Sequence, residues 1–110
     1  MDIDRRIDEI YAELVEIRRE LHENPELSQK EYRTQEKIRD YLDKHGIENF
    51  PCAGTGVVGI IRGKNKGKTV GIRADIDALP IHEKNNVSYS SINPGIMHAC
   101  GHDAHTAILL

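Results

Sequence analysis

The chain has 110 residues, 38% of them hydrophobic and 30% charged, with a net charge of -3, an ordinary globular composition that excludes disordered and fibrous classes. Lysines and arginines are interleaved with acids rather than massed on one stripe, which argues against a nucleic-acid partner. No apolar stretch approaches the roughly 20 residues of a membrane span, and Met1-Asp2-Ile3-Asp4-Arg5-Arg6 lacks a signal core, so no membrane partner and a cytoplasmic location are expected.

Ile3, Ile7, Ile10, Leu14, Ile17 and Leu21 recur at steps of three and four and predict a first helix with one apolar face. Its other face carries Arg5, Asp8, Glu9, Glu13, Glu16 and Glu20, a solvated surface. Asn24-Pro25 ends it, because proline disfavours helical geometry in the residue before it. Ser28-Gln29-Lys30-Glu31 has the form of a capping box, which predicts a second helix through Thr34, Ile38, Tyr41 and Leu42 that ends at Gly46. Val57-Val58-Gly59-Ile60-Ile61 and Thr69-Val70-Gly71-Ile72-Arg73-Ala74 flank a short polar link and predict a β-hairpin. An irregular stretch from Ile81 to Gly95 follows, then a third helix from about Asp103. This order fits the opening of an α/β domain with a mixed sheet.

The chain has two cysteines. A disulfide is not expected in a reducing compartment. Cys52, after Phe50-Pro51 at the start of a strand-like segment, reads as a small half-buried residue. Cys100 stands among histidines, in Met97-His98-Ala99-Cys100-Gly101-His102-Asp103-Ala104-His105, where ligation or reactivity is the natural reading.

Thiolate, imidazole and carboxylate are the donors of zinc and its first-row neighbours. Cys100 and His102 are separated by one glycine, so in an extended or tightly turned backbone both side chains reach one side and one ion. Together they supply half of a four-coordinate shell. Asp103 fits two roles, orienting His102 from behind the ligand or capping the third helix. His98 and His105 read as hydrogen-bonding or substrate-facing groups rather than ligands. Upstream, Arg73-Ala74-Asp75-Ile76-Asp77-Ala78-Leu79-Pro80 places two carboxylates two residues apart at the end of a β run. They could neutralise a cation or brace a metal-bound histidine, or form a plain charged strand end with Arg73 pairing to one of them.

Several motifs occur in register: Arg18-Arg19-Glu20-Leu21-His22, Pro25-Glu26-Leu27, Glu31, Thr34, the Arg73–Pro80 segment, and Gly95 through His105. From about Arg18 onward the chain resembles the N-terminal part of the metal-dependent aminoacylase-type amidohydrolases. That group includes hippurate hydrolase, N-acyl-L-amino-acid amidohydrolase and the plant hydrolases of indole-acetyl amino acid conjugates. The resemblance implies a mixed-sheet, zinc-peptidase-like catalytic domain, of which residues 1–110 are the N-terminal portion. It implies hydrolysis of an N-acyl amino acid, a small-molecule substrate, by two divalent ions. Zinc, manganese, cobalt and nickel are all compatible with mixed N, O and S donors. Cys100 and His102 match the first two metal ligands, with the cysteine bridging the ions. Asp77 and, less closely, Asp75 match supporting carboxylates, and His98 and Asp103 belong to the same signature.

Members of that family are several times longer. Their general-base glutamate, the adjacent glutamate ligand, two later histidine ligands and an inserted lid or dimerisation domain match nothing up to Leu110. The expectation is therefore a partial sequence that is inactive alone, with no catalytic residue inside it and a homodimer in the longer protein. Two other readings compete: a small non-enzymatic metal-binding module, and a hydrolase using Cys100 as nucleophile with His98 or His102 as its base.

Overall fold

The computed structural model describes residues 1–110 as three helices and one two-stranded sheet. Helix α1 spans Ile3–Glu23 and α2 spans Tyr32–Lys44; strands β1 (Glu48–Cys52) and β2 (Gly56–Ile60) follow, and α3 spans His102–Leu109. No helix is long and apolar enough to cross a membrane.

The two long helices follow the apolar spacing. Asp2 caps α1 by accepting a hydrogen bond from the Arg5 amide at 3.2 Å. The helix ends at Asn24, ahead of a fully buried Pro25. The apolar stripe is covered only toward its C-terminal end: Leu21 is buried, whereas Ile3, Ile7 and Ile10 are exposed. In α2, Thr34, Ile38 and Leu42 face inward.

The start of α2 departs from the capping-box expectation. Ser28 lies outside the helix, and Gln29 adopts a left-handed φ of 66°. Glu26 does the capping instead. Its carboxylate accepts from the amides of Arg33 and Thr34 and from the Thr34 hydroxyl, at 3.1, 2.6 and 2.7 Å. A longer acidic side chain reaching forward from the preceding turn satisfies the free amides that the Ser28 hydroxyl was expected to take.

The hairpin also differs. β2 pairs antiparallel with β1, not with Thr69–Ala74; Cys52 faces Gly56 and Phe50 faces Val58. The tight connection through Ala53 (φ 51°) and Gly54 (φ 82°) closes sooner than the polar link at residues 63–67 could. Residues 61–77 form no regular element, and Val70 and Ile72 are exposed. Cys52 is exposed rather than half-buried, and both cysteines are free thiols.

Polar side chains make up most of the interior. Leu21, Ile38, Leu42, Ala78 and Ala107 are the buried apolar residues, against buried His22, Glu31, Thr34, Thr55, His98, Asp103 and Thr106. Buried polar groups must find partners, and one such pair ties the hairpin to α2: the Thr55 hydroxyl donates to the Glu31 carboxylate at 2.5 Å. Two single-residue bridges, Leu27 with Ala78 and Leu79 with Met97, draw the Asp75–Pro80 segment between the end of α1 and the approach to α3. This places the two sequence motifs side by side.

Candidate metal centre

Leu79 and Met97 exchange backbone hydrogen bonds of 2.9 and 3.0 Å, so Asp77 and Cys100 lie on adjacent stretches of chain. From Met97 the chain runs through His98 and Cys100 to Gly101, whose left-handed φ of 84° suits glycine and starts α3. His102 is the first helical residue.

The His102 ring is held by one residue. Its Nδ1 lies 2.9 Å from Asp77 Oδ1 and 3.0 Å from the Asp77 carbonyl oxygen. Both partners only accept, so Nδ1 carries a proton, and in the neutral ring Nε2 is then the nitrogen with the lone pair. This is the arrangement of a metal-binding histidine braced by a carboxylate. The His102 side chain is 17% exposed. The Cys100 thiol is exposed two residues earlier.

Asp75 does something different from Asp77. Its Oδ1 accepts from Arg73 Nε and Nη2 at 3.1 and 2.7 Å, and its carbonyl oxygen accepts from the Thr106 hydroxyl at 3.2 Å. The Arg73 hydrogen bonds and charge hold the Asp75 carboxyl below the ordinary carboxylate range. The two readings of this motif are thus divided between its members: Asp75 is the ion-paired residue, and Asp77 touches the histidine.

Asp103 takes neither of its two expected roles. Gly101 is the N-cap of α3, with no side-chain cap, and Asp103 lies within the helix. Its carboxylate points away from His102 toward α1, where Oδ2 accepts from Arg18 Nε at 2.9 Å and meets His22 Nδ1 at 2.8 Å. A carboxylate in the first turn also complements the positive end of the helix. His98 is buried with neither ring nitrogen hydrogen-bonded. Burial pushes its pKa below the ordinary histidine value, against the opposing charge of Asp103. His105 is exposed, its ring 6.0 Å from that of His102.

Arg18 and His22 stand in a motif that carries the resemblance but receive no role from the sequence alone, and Glu83 is not singled out by it. His22 Nε2 lies 3.1 Å from both Glu83 oxygens. Burial acts to raise the Glu83 pKa, but hydrogen bonds from the Ser91 amide, His22 and Asn85 outweigh it and hold the carboxyl below its usual range. The available signal was positional: Arg18 and His22 are four apart, hence on one face of α1.

Cys100 and His102 supply one sulfur and one nitrogen donor, and no group of three or more His, Cys, Asp and Glu side chains is arranged around a single ion. The pair fits a divalent metal in donor chemistry and covers half a shell. Neither His98 nor His102 hydrogen-bonds the Cys100 thiol, and the Nδ1 of His102 is already engaged by Asp77. A Cys–His nucleophile pair is therefore not assembled. Two clefts lie beside the pair rather than on it, both lined by Arg73, Asp75 and Leu109 among others.

Residues 71–110 match the model of peptidase family M20/M25/M40. Over 94% of the chain, the sequence is 52% identical to thermostable carboxypeptidase 2 of Saccharolobus solfataricus. It is 44% identical over 99% of the chain to the N-acyl-L-amino acid amidohydrolase of Geobacillus stearothermophilus. The chain spans 27% and 30% of these two relatives' lengths. Among solved structures, the YXEP protein of Bacillus subtilis, described as a dinuclear metal binding peptidase from the M20 family, superposes with a TM-score of 0.86 at 47% identity. That match covers 91% of this chain and 28% of the other. Fold, motifs in register and identity agree: the chain belongs to peptidase family M20/M25/M40.

Proposed function

We propose that residues 1–110 are the N-terminal portion of the catalytic domain of a two-metal hydrolase that cleaves the amide bond of N-acyl amino acids. One observation carries the reading: His102 is fixed through Nδ1 by Asp77, with Nε2 free, two residues from the exposed Cys100 thiol. In this reading the Cys100 thiolate and His102 Nε2 would be among the groups that hold two divalent ions. Asp77 holds the imidazole in the binding tautomer and raises its basicity. Asp75 and His98 support the site without ligating. When bound, such a metal pair lowers the pKa of a water to about 7 and polarises the scissile carbonyl. The general base and the remaining ligands are assigned to residues outside these 110, so the chain holds no catalytic residue and is inactive alone.

The names of the relatives are consistent with one reaction class. The last residue of a peptide is itself an N-acyl amino acid, so a carboxypeptidase and an N-acyl amino acid amidohydrolase break the same kind of bond beside the same free carboxylate. The substrate is a small molecule of this kind. The longer protein is expected to be a homodimer, and two unpaired cysteines suit a cytoplasmic location.

Full-length protein, stripped of metal and then given zinc, manganese, cobalt or nickel, should release free amino acid from N-acetyl or N-benzoyl amino acids only with metal present. Cys100→Ala and His102→Ala should each abolish that activity and lower bound metal. Full activity and full metal content in both variants would refute the assignment.

A further inference from the structure

Behind the ligand loop lies a buried polar chain. Arg18 and His22 leave one face of α1 and meet the first turn of α3 at Asp103 Oδ2, at 2.9 and 2.8 Å. The other His22 nitrogen meets both Glu83 oxygens at 3.1 Å. Glu83 in turn accepts from the Ser91 amide at 2.8 Å and from Asn85 Nδ2 at 3.2 Å. The side chains of His22, Glu83 and Asp103 are 4%, 4% and 0% exposed, so these charged groups meet one another out of bulk solvent. The Tyr89 ring closes the outer side, 5.7 Å from the His22 ring and under the guanidinium groups of Arg18 and Arg19.

A carboxylate accepts and cannot donate. Both nitrogens of His22 therefore make hydrogen bonds only when both carry protons. With His22 so protonated, two cations (Arg18 and His22) face two anions (Asp103 and Glu83). The consequence for the ligand loop is geometric. Gly101 brings no side-chain cap to α3; besides the His102–Asp77 contact, the side chain that ties the helix start to α1 is Asp103, the neighbour of His102.

We propose that His22 is a positioning residue for the metal ligands: donating from both ring nitrogens, it clamps the Glu83 loop to Asp103 and so fixes the orientation of Cys100 and His102. The proposal rests on the reading of those two residues as ligands. It predicts a role for a histidine that touches neither ion nor substrate.

The test uses the full-length protein and cobalt(II) alone as the probe. Metal-free parent protein titrated with cobalt should develop a thiolate-to-cobalt absorption band. A folded His22→Gln variant should bind cobalt about 10- to 100-fold more weakly, as losses behind a ligand typically do, with a shifted visible spectrum. Glu83→Gln, which keeps an acceptor oxygen, should lie between the two. A folded His22→Gln protein with parental cobalt affinity and spectrum overturns the proposal. So does a nitrogen-15 spectrum of the parent at neutral pH in which one His22 nitrogen lacks a proton, a measurement that needs no variant. No thiolate band in the parent would instead overturn the ligand reading beneath the proposal, and the proposal with it.

Discussion

Asp77 holds His102 twice, through its carboxylate at 2.9 Å and its own carbonyl oxygen at 3.0 Å, both on Nδ1. A single residue thus sets both the tautomer and the plane of the ring. Removing only the side chain leaves the carbonyl contact, so the ring loses its charged partner but keeps a neutral one. Asp77→Ala in the full-length protein should therefore bind metal about 10- to 100-fold more weakly without unfolding. A chelator-competition titration alongside circular dichroism measures both.

The Thr55 hydroxyl is the side-chain donor to a buried Glu31 carboxylate. Thr55→Val preserves the shape and removes the donor. The stranded acceptor should cost about 1–3 kcal/mol of stability, read as a lowered denaturant midpoint. Thr55→Ser should recover most of it.

Glu26 satisfies two amides and one hydroxyl at the start of α2. Glu26→Ala should destabilise by about 1–2 kcal/mol, the scale of a lost N-cap. Ser28→Ala should change little, since Ser28 makes no capping bond. Comparing the two midpoints decides between the capping box and the arrangement described above.

His98 should make stability fall on acidification. Burial lowers its folded-state pKa below the ordinary 6.5. The unfolded chain therefore takes up the proton first, and stability declines as pH drops from about 6.5 toward the folded value. His98→Gln removes this group, so the pH dependence of its unfolding free energy just below 6.5 should be flatter than that of the parent. Parallel curves would show that His98 is not penalised on charging.

The three helices were legible because each rests on local chemistry: apolar residues at steps of three and four, a proline after α1, and glycines near the end of α2 and the start of α3. The hairpin was misread because its true partner strand, Glu48–Cys52, is mostly exposed and contains Pro51, so it carries no alternation to read. The apolar run at Thr69–Ala74 looked more like a strand and forms none. At the site, the Cys100–His102 spacing and the Asp75–Asp77 pair are visible as short motifs. The division of labour between the aspartates depends on where Arg73 and His102 come to lie. His22 is 61 residues from Glu83 and 81 from Asp103 in the chain, and only tertiary packing, α1 against α3 for Asp103, brings them together.

The central claim, that Cys100 is a metal ligand while Cys52 is only an exposed thiol, can be tested by alkylation mapped by mass spectrometry on the full-length protein. Without metal, iodoacetamide should modify both cysteines, since both are exposed. With saturating zinc, Cys100 should be protected and Cys52 should react at its former rate. Equal modification of both cysteines in the zinc-saturated protein would contradict the account.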